Sequence, residues 1–320
     1  MSYNTPQEFV KDLQDYLRNS PQIKTKKHDE FTKLNDLEHK KIDALKNLSK
    51  EELIESNMLI DMLVKKVYDV LDPEELEKAQ SSIAFGKVVN TYCNALCVRS
   101  PDGKYAVLIY EGLMMLLHKF GKLMFAAQNP KSVLTCSRGK TKLLKKKHYL
   151  NFATELIETY KEHGTAAGAM VKLNPEASSI HAVNLDLKEL FVLCHELGHF
   201  FNGDLENANN FYHLNDYNWD VFNDNKDHEM EFRADLTGFA IFEKAALKRY
   251  KGIPRNSLIT PVMQLFDILA RISEGSSQSH PHPIDRMANI IRHHYSEEMA
   301  NEYLKMFTSD DSPNNFLDLL

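Results

Sequence analysis

Residues 186–201, DLKELFVLCHELGHFF, are a largely apolar run on a helical period, and Asn202-Gly203 ends it. Inside the run stand His195, Glu196 and His199 in the pattern HExxH. Residues four apart share a helix face, one turn up, so both imidazoles can reach a common point. Apolar residues flank the motif on both sides, which predicts a helix buried over most of its surface. Two histidines and a glutamate set into such a helix are costly without partners. Whatever fold the chain takes must bring a counterpart to this helix. Gly198 weakens a helix and carries no side chain, which marks a place where something packs close.

That counterpart is sought in the next strong helix, residues 227–250, which opens with His228-Glu229-Met230-Glu231-Phe232-Arg233-Ala234-Asp235. Glu231 and Asp235 are four apart and share a face. One can bind a metal ion, while the other accepts a hydrogen bond from a metal-bound imidazole and fixes its tautomer. Glu229 competes as a ligand, but two residues from Glu231 it faces elsewhere on the helix. Zinc suits the set: two nitrogen ligands, one further protein ligand and an open position for water. Two neutral histidines and one carboxylate would leave a zinc site at +1, which favours an anionic transition state. Zinc acidifies a bound water and polarises a carbonyl, and Glu196 is placed to take the proton. The longer pattern HExxHxxGxxH is excluded, because Asn202 and Leu205 stand where it needs glycine and histidine.

The remaining chain supplies the setting. It has 320 residues, 43% of them hydrophobic, which is enough for a real core and excludes a disordered chain. Lys+Arg is 39 against Asp+Glu 45, a balance that argues against a dedicated nucleic-acid binder. The start shows no basic-then-apolar leader. The most apolar stretch, residues 105–117, is interrupted by Glu111 and falls short of the roughly 20 residues a spanning helix needs. The four cysteines match no disulfide scaffold and read as reduced thiols. These features lead us to expect a cytoplasmic protein with no membrane or nucleic-acid partner.

Residues 1–82 read as a helical N-terminal region. Thr5-Pro6-Gln7-Glu8, Ser49-Lys50-Glu51-Glu52 and Asp72-Pro73-Glu74-Glu75 each have capping-box spacing. The region is a packed helical cap or a surface for a regulatory partner. β-Formers over 88–98, the turn Ser100-Pro101-Asp102-Gly103 and a strand over 104–110 predict a hairpin. Helices are expected over 112–127, 151–163, 259–273, 283–294 and 296–307, and a short strand over 168–173. The basic run 138–148, RGKTKLLKKKH, lacks interleaved aromatics and reads as a solvated loop. Residues 83–310 would then form one catalytic domain with an insertion at 118–185, and 311–320 a tail. The expected class is α+β, mostly helical, with a small edge-stranded sheet.

HExxH followed by ExxAD on a second helix resembles the gluzincin metallopeptidases, in particular the CAAX-prenyl-protease family and its soluble relatives. The resemblance implies His195, His199 and Glu231 as zinc ligands, Glu196 as the base and Asp235 as the orienting carboxylate. Asn94-Ala95-Leu96 is similar to the family's Asn-Ala-Phe edge strand, which pairs an extended substrate, and Gly112-Leu113 to the opening of its first helix. His280-Pro281 with Arg286 is similar to its late HP…R element. That implies His280 and Arg286 near the scissile group, with His282, Tyr212 and Tyr217 as further oxyanion candidates.

Two features depart from the family: no membrane helices, and about 70 residues between Leu117 and the HExxH helix. A soluble protease that cleaves one host or phage protein, as in the Lit-type phage-exclusion proteases, fits those departures. The activity implied is zinc-dependent hydrolysis of a protein or peptide substrate. The rivals are a catalytically silent zinc-binding interaction or sensor protein, and a latent protease released by a partner or by self-cleavage.

Residues 204–226 read as a polar, aromatic loop. Within it, Asp216, Asn218 and Asp220 stand like the first ligands of a calcium loop, but Val221 and Asp227 occupy positions that need glycine and glutamate. Phe211, Trp219 and Phe222 could wall a cleft or anchor the loop. Cys194 is expected to be a packed thiol.

Overall fold

The structure is a computed structural model, and it describes residues 3–19, 50–89, 91, 93–206, 228–273 and 281–308. It is mostly helical with a small sheet, as the α+β expectation has it. The described chain divides into two compact units whose segments interleave. The first gathers Met1–Leu113 and Glu189–Arg255, and the second Met114–Lys188, Asn256–Ser277 and Pro281–Leu320. The described residues of 1–82 thus share a unit with the HExxH segment, and 118–185 groups with the C-terminal helices.

In the first unit, α1 (Pro6–Asn19) is amphipathic. Glu8 N donates to Thr5 Oγ1 at 3.3 Å, and Asn4 N donates to Glu8 Oε2 at 2.9 Å, closing its first turn. Phe9, Val10, Leu13 and Leu17 recur on one face and are buried. They pack on a three-stranded sheet of β1 (Ile83–Val88), β2 (Ala95–Arg99) and β3 (Tyr105–Tyr110). The order is β1-β3-β2, with β1 parallel and β2 antiparallel to β3. The predicted hairpin is therefore β2–β3. Its turn is closed by Ser100 N donating to Lys104 O at 2.7 Å, with Gly103 in the left-handed region at φ 85°. The parallel strand β1 was not foreseen, because β-formers were read only from residue 88. Gly86 lets α1 approach β1: a Cβ there would stand 2.7 Å from both Val10 Cγ1 and Gln14 Nε2.

The opposite face of the sheet meets helices. Tyr68 of α2 (Lys50–Tyr68) packs edge-on against Phe85, and Tyr105 of β3 packs edge-on against Phe200 at 4.8 Å. The short helix α3 (Pro73–Ser82) shows the predicted capping box in full. Glu75 N donates to Asp72 Oδ1 at 2.8 Å, and Asp72 N donates to Glu75 Oε2 at 3.2 Å.

The long helices α4 (Glu111–Gln128) and α6 (Pro175–Phe201) each contribute residues to both units. α6 starts eleven residues before the expected 186. Asn174 caps it, its Oδ1 accepting from Ala177 N at 2.9 Å, with Pro175 in the first position. α7 (His228–Arg249) follows in the first unit.

The second unit holds β4 (Val133–Cys136) paired antiparallel with β5 (Val171–Leu173), together with α5 (Lys146–His163), α8 (Ile259–Ile272), α9 (Pro283–His294) and α10 (Glu297–Thr308). The strand over 168–173 was expected; its partner β4 was not. The basic run keeps Arg138, Lys140, Lys142 and Lys145 exposed, and its last residues enter α5. Among the described residues, no helix is long and apolar enough to cross a membrane.

Candidate metal centre

The centre lies where α6 and α7 cross within the first unit. Leu190, Phe191, Leu193, Leu197 and Phe200 bury the apolar side of α6, and Ala234, Phe239 and Phe242 that of α7. Two glycines set how closely the helices meet. A Cβ on Gly198 would lie 2.5 Å from Ala234 O, and one on Gly238 would lie 2.7 Å from His195 Cα and 2.8 Å from His195 N. Both obstacles are backbone, so neither can yield cheaply. The close packing expected at Gly198 is observed, and Gly238 is its counterpart, which the sequence reading missed.

This contact brings His195, His199 and Glu231 together, and one ligand atom from each lies within 4.8 Å of the others. Such a group could hold a metal ion. His195 Nε2 is 3.5 Å from Glu231 Oε2, and His199 Nε2 is 3.5 Å from Glu231 Oε1. Each ring's other nitrogen faces a second carboxylate. His195 Nδ1 is 3.0 Å from Asp235 Oδ1, and His199 Nδ1 is 2.9 Å from Asp204 Oδ2. A neutral imidazole that donates from Nδ1 presents its Nε2 lone pair, so both rings aim a lone pair at the same place. The edge-to-face arrangement of the rings, 4.8 Å between centroids, permits both to do so.

Asp204 was not anticipated. It follows the helix stop: Gly203 adopts φ 69°, Asp204 N donates to His199 O at 3.1 Å, and the chain doubles back under the last turn. Asn202-Gly203 was read as a helix end. An acidic residue immediately after such an end can reach back to the final turn, and that was the available signal. Arg233 Nη2 donates to Asp204 Oδ1 at 2.8 Å, and Thr237 Oγ1 donates to Asn202 Oδ1 at 2.9 Å, tying the turn to α7.

Four carboxylates, Glu196, Asp204, Glu231 and Asp235, are all buried around two imidazoles. Such crowding of like charge is costly, and cations among the carboxylates relieve it. Arg233 supplies one positive charge, and a divalent ion at the histidines would supply two more. The residues present therefore fit a metal. The outer carboxylates also make the whole cluster anionic, whereas the three ligands taken alone would leave it at +1. Glu196 is 5% exposed, and its Oε2 is buried with no hydrogen-bond partner among the described residues.

The other candidates are distributed as follows. Glu229 is exposed, as helix phase predicted. Cys194 is buried, and burial pushes its thiol pKa up, so it packs as a protonated thiol. Asn94 and Ala95 stand at the start of the edge strand β2, in the same unit as the centre, and Asn94 O accepts from Tyr110 N at 3.0 Å. That bond makes Ala95, Cys97 and Arg99 the residues whose backbone groups point away from β3. Gly112 and Leu113 lie at the start of α4.

Arg286 belongs to the second unit, buried in α9 with its guanidinium over the Phe266 ring at 5.3 Å. His282 caps α9, its Nδ1 accepting from Ile284 N at 3.2 Å, with Pro283 first in the helix. His280, Phe211, Tyr212, Asp216, Tyr217, Asn218, Trp219, Asp220, Val221, Phe222 and Asp227 lie outside the described residues.

No family model matches the chain, no curated protein matches it, and no solved structure matches it.

Proposed function

We propose that the chain is a zinc-dependent metalloendopeptidase of the gluzincin kind, acting on a protein or peptide substrate. One observation carries this reading: two imidazole nitrogens and a carboxylate converge within 4.8 Å, on an HExxH helix whose glutamate is buried beside them. His195, His199 and Glu231 would hold the ion. Zinc, when bound, supplies Lewis acidity toward a water and a substrate carbonyl.

The chain's own residues do the rest. Asp235 and Asp204 hold the two imidazoles in the tautomer that frees Nε2. Glu196 receives a proton from the attacking water on its carboxylate and returns it to the leaving amine. The outer side of β2 at Ala95, which no strand among the described residues pairs, offers backbone groups that can pair an extended peptide. A silent zinc scaffold would have no use for Glu196, and structural zinc sites usually hold four protein ligands.

The test begins with elemental analysis of the purified protein beside Glu231→Ala. The proposal expects about one zinc per chain, lost in the variant. Glu196→Gln then separates chemistry from binding. It should keep the zinc and lose peptide cleavage by roughly 10²–10⁴-fold. Wild-type protein that takes up no zinc after reconstitution, or a Glu196→Gln protein that cleaves as well as wild type, sinks the reading.

A further inference from the structure

The second unit contains a cavity of about 170 Å³ lined by α4, α6 and α8. Two side chains of opposite charge, Lys188 and Asp267, line it, and each is only 2% exposed. Lys188 Nζ donates to Asn184 Oδ1 at 2.6 Å. Both Asp267 oxygens accept from Arg271 Nε at 3.0 Å. Phe120, Met124 and Phe125 supply apolar wall.

Gly121 opens the space. A Cβ there would stand 2.9 Å from His181 Cε1 and 3.9 Å from Lys188 Nζ, so only a residue without a side chain lets the cavity run up to both. A folded domain that needed only a core would line such a hollow with apolar side chains alone, whereas here a lysine and an aspartate, each with a protein partner, stand at it.

We infer that this cavity binds a small zwitterion with an apolar tail, of the α-amino-acid class. Its carboxylate sits against Lys188 and Asn184, its ammonium against Asp267, and its side chain among Phe120, Met124 and Phe125. A simple anion would meet Asp267, and a simple cation would meet Lys188; only a ligand carrying both charges complements both. Size agrees with this class. An apolar cavity of about 150 Å³ accepts benzene, so a ligand of roughly six to nine non-hydrogen atoms fits here. The inference is independent of the metal centre, whose ligands lie in the first unit.

The full-length protein, labelled with ¹³C at its methionine methyls, reports on the cavity through Met124, assigned by loss of its signal in Met124→Leu. L-Leucine and L-methionine are the probes. The expected result is a saturable Met124 shift with Kd below about 10 mM for at least one of them. Isoamylamine, which lacks the carboxylate, and 4-methylpentanoate, which lacks the ammonium, should bind at least about tenfold more weakly, as should the amino acid to Lys188→Met. No saturable shift with either amino acid overturns the inference. Equal binding of the amino acid and its two one-charge analogues also overturns it, by marking a merely apolar hollow, and that comparison needs no variant to fold. Unchanged affinity in a folded Lys188→Met has the same force.

Discussion

Helix α6 buries polar side chains along both halves, and the two halves treat them differently. In the half that belongs to the first unit, His195 and His199 each turn one nitrogen to a carboxylate and the other toward Glu231. In the half that belongs to the second unit, His181 turns Nε2 to another histidine, with 3.3 Å to His118 Nδ1. His195 and His199 both belong to α6, whereas His181 of α6 pairs with His118 of α4, and all four are largely buried. The difference lies in what surrounds them. Carboxylates around the first pair hold lone pairs open toward a shared point, which is how a cation site is built. Burial first, and then the positive charge of Lys119, Lys122 and Lys188, keeps the second pair neutral. A buried histidine thus becomes a ligand or a packing element according to the sign of the charges its neighbours bring.

The largest effect that would test this contrast comes from the glycines. Gly238→Ala and Gly198→Ala each push a methyl into backbone, and each should cost about 3 kcal/mol or more, because overpacking at a rigid contact has no relaxation path. Thermal unfolding with and without added zinc measures it. Stability within a few tenths of a kcal/mol of wild type would mean that the helices do not meet as closely as the centre requires.

Next in size are the outer carboxylates. Asp204→Ala and Asp235→Ala remove the acceptor that orients one imidazole each, and each should weaken zinc affinity by about 10–100-fold while leaving some binding. Competition with a chelator of known affinity gives the number. If Asp204→Ala changes nothing, the turn after α6 plays no part in the centre.

Much of the first half of this contrast was legible in the sequence. HExxH at helical spacing, the phase of Glu231 and Asp235 against Glu229, and the reason for Gly198 all follow from 3.6 residues per turn, which sequence displays directly. Asp204 and Gly238 were harder, because one depends on how a chain reverses after a helix stop and the other on which residue of a second helix meets the first. The parallel strand β1 and the pairing of β4 with β5 depend on partners distant in sequence, which local pattern does not reveal. Arg286 and the late histidines were placed by resemblance rather than by spacing. Arg286 stands in the second unit over Phe266, and His282 serves as a helix cap. The cavity left no sequence signal, since nothing in local pattern distinguishes the buried Lys188 and Asp267 from exposed charges.

The second half of the contrast predicts a pH effect. Burial first, and then the nearby lysines, lower His118 from its ordinary value near 6.5 to about 4. Burial first, then His118, Lys188 and Lys122, lower His181 to about 3. The unfolded chain therefore binds more protons than the folded one between about pH 6.5 and these values, so stability falls as pH drops through that window and is level above it for these two groups. Zinc-free protein carrying His118→Gln should lose less stability than wild type between pH 6.5 and 4.5 in urea denaturation. An equal slope in the two proteins would show that the pair is not held neutral.

The smallest effect separates the halves of α6 from each other. Asn174 caps the end nearest the cavity residues, and Asn174→Ala should cost about 1 kcal/mol, the usual worth of such a cap. A helix that frays from its first turn loses order there first, and His195 lies more than five turns further along, at 3.6 residues per turn. The variant should therefore speed hydrogen exchange over residues 175–184 and leave zinc affinity within about twofold of wild type. Zinc affinity that falls with the cap would mean the helix responds as a single rigid element. The metal centre would then feel whatever occupies the cavity at its other end, and the two ways of burying histidine would be parts of one coupled device.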